Sequence, residues 1–195
     1  MDRSFKLLFP DVLVGLASLV VIAFAGLFVL FGPESKDAYT QTRTPHAALI
    51  GPFESYISSV DARRRLPAQD SVRILWESKT PPDDPRPRFD YLMLRVSGFQ
   101  NLGFVGDLDL EFVNDRLAST EFCPTQPESF RNALRASGVH IENDDENANL
   151  PRPDVLTLIW ATYADPKDPK ERSCVDWVDA RLLQEMGSYD WRYEL

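Results

Sequence analysis

The side chains of this sequence best suited to chemistry are carboxylates that gather in two places. Asp107, Asp109 and Glu111 alternate along one short stretch, and Asp144 and Asp145 stand in an acidic run that reads ENDDEN. Carboxylate oxygens are the preferred ligands of hard cations such as Ca²⁺. Residues two apart on a strand lie about 6.5 to 7 Å apart, however, and the acidic run lacks the D-x-[DN]-x-[DN]-G spacing of an EF-hand. These five residues are therefore weak metal candidates, and we favour a solvated acidic surface with no cofactor.

Two further acidic residues recur with arginine partners in a repeated motif. The motif reads EFVNDRL where it contains Asp115 and Arg116, and DWVDARL where it contains Asp179 and Arg181. Two short matches can mark a duplicated strand-loop-strand unit or arise by chance, and the sequence leaves both open. Each acid and arginine could form a catalytic pair, but Asn and Asp favour hairpin bends and Arg side chains lie over sheets. We interpret them as turn residues and assign no catalytic residue.

Nucleophilic and phosphate chemistry lack their usual motifs. Catalysis by a Ser or Cys nucleophile normally needs a positioned histidine base. The 2 histidines are His46, in a predicted linker, and His140, beside a predicted helix end, and neither sits in a recognisable motif. The sequence contains neither GxGxxG nor GxxxxGK[ST], the glycine-rich loops that bind nucleotide phosphates. The sequence therefore does not favour an enzyme.

The chain has 2 cysteines, Cys123 and Cys174. Neither CxxC nor His spacing surrounds them, which excludes a structural zinc site. In an exported domain they can form a disulfide if the strands that carry them are close, and two separately buried thiols are the alternative.

An uncharged apolar run, VLVGLASLVVIAFAGLFVLF, extends from Val12 to Phe31. At 1.5 Å per residue a helix of this length spans about 30 Å, the thickness of the hydrocarbon core of a bilayer. We interpret it as an uncleaved signal-anchor, although Ala23-Phe24-Ala25 has the form of a signal-peptidase site. Arg3, Lys6 and the α-amino group favour a cytoplasmic N-terminus. We expect a single-pass protein of the cell (inner) membrane whose domain is periplasmic or extracellular.

The net charge of −9 lies from Phe53 onward. An acidic surface repels phosphate backbones, and the one basic cluster is Arg63-Arg64-Arg65. The triplet fits the last turn of a helix, where cations complement the helix dipole. We therefore expect no nucleic-acid partner.

The sequence divides into a tail over 1–11, the anchor, a linker over 32–52 and one domain over 53–195. The linker lacks apolar periodicity, which predicts a spacer that holds the domain off the membrane. Helical spacing predicts one helix from Phe53 to Arg65, and the capping box Thr125-Gln126-Pro127-Glu128 begins another that ends at Gly138.

Short segments rich in aromatic and β-branched residues predict strands between these helices and beyond them. They are Ser71 to Glu77, Phe89 to Val96, Gly106 to Val113, Leu117 to Cys123, Asp154 to Tyr163 and Cys174 to Val178. The fold class is α+β, and we expect an antiparallel sheet with two or three helices on one face.

Burial predicts the register of the hairpin at Asn114. Pairing Phe112 with Ala118 and Leu108 with Phe122 keeps the apolar residues on one face and leaves three residues in the connection. A two-residue Asn-Asp turn would instead place Glu121 opposite Leu108 and bury an unpaired carboxylate. We therefore expect an odd-length connection or a bulge, with Glu121 exposed.

These observations predict a membrane-anchored accessory or assembly subunit of a membrane or envelope complex that binds another macromolecule. Its partners would be the lipid bilayer, through Val12 to Phe31, and other membrane-protein subunits. The alternative is an extracytoplasmic hydrolase or a calcium-dependent ligand-binding domain that uses the acidic residues.

Overall fold

The computed structural model describes residues 38–66, 71–141, 156–164 and 171–193, all within one compact unit, Lys36–Leu195. The predicted membrane segment Val12 to Phe31 and the weak metal candidates Asp144 and Asp145 lie outside the described residues. Within those four ranges no helix is long and apolar enough to cross a bilayer.

The described residues form an α+β domain with six strands and three helices. The strands are β1 (Ser71–Ser78), β2 (Tyr91–Asn101), β3 (Phe104–Val113), β4 (Arg116–Pro124), β5 (Thr157–Thr162) and β6 (Cys174–Asp179), and the helices are α1 (Ser59–Arg65), α2 (Pro127–Ala136) and α3 (Ala180–Tyr193). Every pair of neighbouring strands is antiparallel, and the order is β1-β2-β3-β4-β6-β5. The sixth strand in sequence therefore lies between the fourth and the fifth.

Helix α1 is shorter than the predicted helix over Phe53 to Arg65. It begins after Ser58, whose hydroxyl accepts a hydrogen bond from the amide of Asp61. Ahead of it Tyr56 has φ 68°, a conformation that stops a helix. The amide of Tyr56 donates to the carbonyl of Leu117, so this segment bonds to the start of β4 instead of to itself.

Helix α2 begins one residue later than its predicted capping box. Its N-cap is Gln126, which makes no side-chain capping bond, and Pro127 occupies the first turn. The hydroxyl of Thr125 donates a hydrogen bond to the carbonyl of Val105 in β3 and therefore does not cap the helix. Gly138, with φ 85°, ends the helix as predicted.

The larger apolar cluster lies on the face of the sheet that α1 and α2 cover. It joins Leu94, Leu110 and Phe112 of the strands to Ala62 of α1 and Phe130 of α2. All five side chains are inaccessible to solvent, so this cluster is the main core of the domain.

Helix α3 packs against a second, smaller cluster on the opposite face. Its residue Leu182 joins Val113 of β3, and Tyr91 of β2 packs against them. Successive side chains of a strand point to opposite faces, and Val113 follows the core residue Phe112. Two of the helices therefore share one face of the sheet, and α3 lies on the other. Asp179 caps the start of α3, because its carboxylate accepts hydrogen bonds from backbone amides in the first turn of that helix.

The turn between β3 and β4 is tighter than predicted. Val113 pairs directly with Arg116, and the turn residues Asn114 and Asp115 have φ 51° and 58°. Positive φ at both positions is typical of the primed turns that match the twist of a hairpin, and Asn and Asp adopt it readily. The predicted three-residue connection is wrong, and the bulge expected as its alternative is present.

A β-bulge restores the register that burial requires. The pairing shifts after Glu111, so Ala118 has no partner on β3 and Phe112 pairs with Leu117. Leu108 nevertheless lies opposite Phe122, as predicted, and both side chains are fully buried.

Residues 38–50 belong to the domain, whereas the sequence analysis assigned them to a spacer. Tyr39, Ala47, Leu49 and Ile50 are buried, and the backbone folds back on itself where Ala48 bridges to Glu54. Apolar side chains without regular spacing give no helical or strand pattern, and only the tertiary structure shows that the core uses them. The described part of the predicted linker is therefore structural.

The two copies of the repeated motif adopt different structures. EFVNDRL forms the hairpin between β3 and β4, whereas DWVDARL leads from β6 into α3. Both copies nevertheless end the second strand of an antiparallel pair, β2 with β3 and β5 with β6.

Candidate functional site: the carboxylate face

Five carboxylates from three adjacent strands share one face of the sheet. Strands β3, β4 and β6 supply them, and the cross-strand register places Asp109 opposite Glu121 and Glu121 opposite Asp176. Alternation along each strand puts all of them on the face opposite Leu110 and Phe122. We call this surface the carboxylate face: Asp107, Asp109, Glu111, Glu121 and Asp176.

Two arginines bind the carboxylate at the centre of this face. Arg95 of β2 donates to both oxygens of Asp109, from Nε at 2.6 Å and from Nη2 at 2.5 Å. Arg172, which precedes β6, reaches the same carboxylate at 3.3 Å. The Asp109 side chain is only 5% exposed, and the bidentate pair compensates a charge that would otherwise be costly to bury.

Arg172 contacts three carboxylates at once. It also donates to Asp107 at 3.2 Å and lies 3.7 Å from Glu121. Its own side chain is 35% exposed. A guanidinium therefore already rests on this face, held by acids from β3 and β4.

Glu111 at the α3 end of the face is satisfied by hydroxyl groups. Ser119 of β4 donates to its carboxylate, and Tyr91 of β2 is hydrogen-bonded to it as well. Burial, followed by the nearby charge of Glu111, raises the pKa of Tyr91. The phenol therefore stays protonated and serves Glu111 as a donor.

Glu121 shares Arg172, at 3.7 Å, with Asp107 and Asp109, and it lies beside Asp176 of the next strand. Burial is the main cause that raises the pKa of Glu121 to about 7, and the charges of Asp176 and Asp109 add to it. Burial likewise raises the pKa of Asp176 to about 6, although a hydrogen bond from Thr162 lowers it in part. The prediction that Glu121 is exposed is wrong, because β6 lies beside β4 and partly covers the Glu121 side chain.

The three weak metal candidates that the structure describes lie in a row on β3. Asp107, Asp109 and Glu111 follow each other along one strand, and Asp107 and Asp109 already contact Arg172. Among the described residues one group of three possible ligands lies within 4.8 Å, and it consists of Glu121 and the two cysteines. Those sulfur atoms are joined in a disulfide, so they offer no thiolate to a metal ion.

The disulfide links β4 to β6 at one end of the carboxylate face. Cys123 and Cys174 have Cα atoms 4.1 Å apart, and both residues are buried. A cavity of about 410 Å³ opens beside them, lined by Asp107, Thr125 and Arg172 among others. Gly106 also lines it, and a Cβ there would lie 2.4 Å from the carbonyl oxygen of Cys123.

The acid and arginine pairs of the repeated motif are structural. Asp179 is fully buried and accepts hydrogen bonds from Arg181 and Ser55. Burial alone would raise the pKa of Asp179, but these bonds outweigh it and lower the pKa. Arg116 is buried and donates to the carbonyl of Tyr39 and to Glu185. These contacts tie the N-terminal segment and α3 to the hairpin.

The sequence analysis identified Asp107, Asp109 and Glu111 as a shared strand face but missed Glu121 and Asp176 as their neighbours. The alternating patterns of β4 and β6 each place an acid on one face of the strand, and this signal could have grouped the acids. The two strands are, however, not neighbours in sequence. The chain matches no protein-family model, no curated protein and no solved structure.

Proposed function

We propose that the chain is a membrane-anchored, exported accessory subunit of a membrane or envelope complex. It binds a cationic segment of a partner protein on the carboxylate face and has no catalytic role. The anchor, expected from the sequence alone, is Val12 to Phe31, and the described domain is the binding module.

The observation that carries this proposal is the contact of Arg172 with Asp107, Asp109 and Glu121. Three carboxylates from two strands hold one guanidinium. The protein's own arginine thus illustrates how the face receives a cation. An arginine or lysine of a partner would meet the same kind of ligand.

Glu121 and Asp176 provide the place for a second cation. They lie directly opposite each other on β4 and β6, and burial raises the pKa of each carboxyl group, for Glu121 even with Arg172 at 3.7 Å. Trp160 of β5 is the cross-strand partner of Asp176 and flanks this pair. An aromatic ring beside two carboxylates favours a guanidinium or ammonium group.

The described geometry supports binding better than hydrolysis. Asp109 is engaged by Arg95 and Arg172, and Glu111 by Ser119 and Tyr91. His46 lies 3.8 Å from Glu54, on a segment that contributes to neither the carboxylate face nor the cavity. Opposite charge steers a partner to such a face and fixes its orientation.

Binding can be tested with a tri-arginine peptide and its uncharged tri-citrulline analogue. We expect the arginine peptide to bind more weakly as salt concentration rises, and to shift the backbone amide resonances of β4 and β6. The citrulline analogue should not bind. Asp176→Asn should weaken binding severalfold, whereas Asp83→Asn, an equal change of charge on an exposed loop residue, should leave it unchanged.

Equal weakening by Asp176→Asn and Asp83→Asn would show that only net charge matters and would overturn the site.

The membrane topology of the chain has a separate test. A reporter that requires export should be active when fused after Leu195, and the protein should stay with the membrane at high salt. A soluble mature form that begins at Gly26 would refute the anchor.

A further inference from the structure

The tether between the expected anchor and the domain is short. The described part of the domain begins at Ala38, and Tyr39 is already buried in it. A chain that runs from Phe31 to Ala38 reaches at most about 25 Å when fully extended, and about 15 Å as a flexible coil. The spacer expected over 32–52 would have reached about 70 Å. The part of the domain around Tyr39 is thus the part nearest the anchor along the chain.

An aromatic cluster surrounds the entry point at Tyr39. The Tyr39 ring lies 5.4 Å from that of Tyr189 in α3 and 6.3 Å from that of Phe89, and Phe89 stacks on Tyr189 at 4.0 Å. Tyr193 continues the cluster at 4.9 Å from Tyr189. The last turns of α3 are therefore fixed next to the residues at which the chain enters the domain.

The same turns of α3 present Trp191, the most exposed large apolar side chain in the described part of the chain, at 70%. Arg192 follows it and is exposed as well. Trp and Tyr have an apolar body and a polar edge, which suits them to the headgroup layer of a bilayer.

We propose that the C-terminal end of α3 rests on the membrane, with Trp191 inserted among the lipid headgroups. The proposal depends on the anchor in the proposed function and adds a second, weaker contact with the same bilayer. Its occupant is the lipid surface, because a short covalent tether brings that surface within reach of Trp191. Contact at α3 would limit the orientations of the carboxylate face relative to the membrane.

Quenching of tryptophan by brominated phospholipids tests this contact directly. All 4 tryptophans lie in the domain, and the segment from Val12 to Phe31 contains none. The full chain is placed in vesicles of phosphatidylcholine brominated near the headgroup end of its acyl chains. We expect partial quenching that Trp191→Phe abolishes. Trp76→Phe, which alters a similarly exposed tryptophan of β1, should keep it.

A longer tether provides a second variant that does not touch the fold. Insertion of a flexible Gly-Ser segment of twelve residues after Phe31 should reduce the quenching. Undiminished emission in the anchored wild-type chain would overturn the contact and leave the carboxylate-face proposal standing. A chain that leaves the vesicles at high salt would instead refute the anchor. Quenching that disappears when the protein is diluted in the vesicles would assign Trp191 to a contact between copies of the chain and refute lipid insertion.

Discussion

Glu121 and Asp176 face each other across β4 and β6, and the pKa of each is raised, to about 7 and about 6. A carboxyl group whose pKa is higher in the folded state holds its proton more tightly there. Proton binding by these two groups therefore stabilises the folded domain at low pH, and this stabilisation is lost as pH rises through the pKa values of the folded state.

Stability should accordingly fall between about pH 4, the ordinary carboxyl range, and about pH 7, the raised pKa of Glu121. We expect a decrease in the free energy of unfolding of about 1 to 2 kcal/mol, reduced from the full shift because Glu121 is partly exposed. Glu121→Gln should flatten this dependence and stabilise the domain above pH 7. Urea unfolding at a series of pH values measures the pH dependence of the free energy of unfolding. If this dependence is the same in the variant as in the wild-type chain, Glu121 is not its cause.

Two glycines should respond to alanine with opposite signs. A Cβ at Gly106 would meet the backbone of Cys123 and Pro124, at 2.4 Å and 2.7 Å, so Gly106→Ala should destabilise by about 2 to 3 kcal/mol. Gly187 lies within α3, where a Cβ meets nothing within 4 Å. Gly187→Ala should stabilise by about 1 kcal/mol, the helix-propensity difference. Thermal melting of both variants tests this, and a stabilised Gly106→Ala would show that β3 and β4 separate easily there.

The Cys123–Cys174 disulfide should contribute substantially to stability. It closes a loop over a sequence separation of 51 residues, and its loss should cost about 2 to 4 kcal/mol by releasing that loop in the unfolded chain. The double variant Cys123→Ser/Cys174→Ser should therefore unfold at lower urea concentration. Thiol titration of the unfolded, unreduced protein should find no free thiol, and two reactive thiols would refute the pairing.

Phe122 should be the most sensitive position of β4. Its ring is fully buried and lies 5.0 Å from that of Phe130 in α2 and 6.0 Å from that of Phe99 in β2. Phe122→Ala should lower the free energy of unfolding by about 3 to 5 kcal/mol. Val105→Ala, at an exposed position of β3, should change it by less than about 0.5 kcal/mol. Similar losses in both variants would mean that the core lies elsewhere.

Local sequence patterns predicted the parts of the fold that depend on near neighbours. Alternation in β3 and β4 was enough to place Leu108 opposite Phe122, and a left-handed glycine was enough to end α2 at Gly138. The prediction of the turn failed because a tight turn combined with a bulge at Ala118 buries the same side chains as a longer connection does.

The carboxylate face could not be predicted, because it depends on a pairing that local patterns do not show. Asp176 becomes the neighbour of Glu121 only when β6 lies beside β4. The prediction that the irregular segment around Tyr39 is a spacer failed for the same reason. The buried contacts of this segment include α3, which is far away in sequence. Long-range pairing decided both features.

The position of β6 between β4 and β5 also orders the events of folding. Strands β2, β3 and β4 pair with sequence neighbours and can form as the chain emerges, but β5 emerges before β6, the strand with which it must pair. Until Cys174 and the residues after it are available, β4 presents an open edge that β5 could occupy in β6's place. The C-terminal third of the domain therefore assembles only once the chain is complete through β6, and a truncated chain that stops short of Cys174 is the species most exposed to mispairing and aggregation.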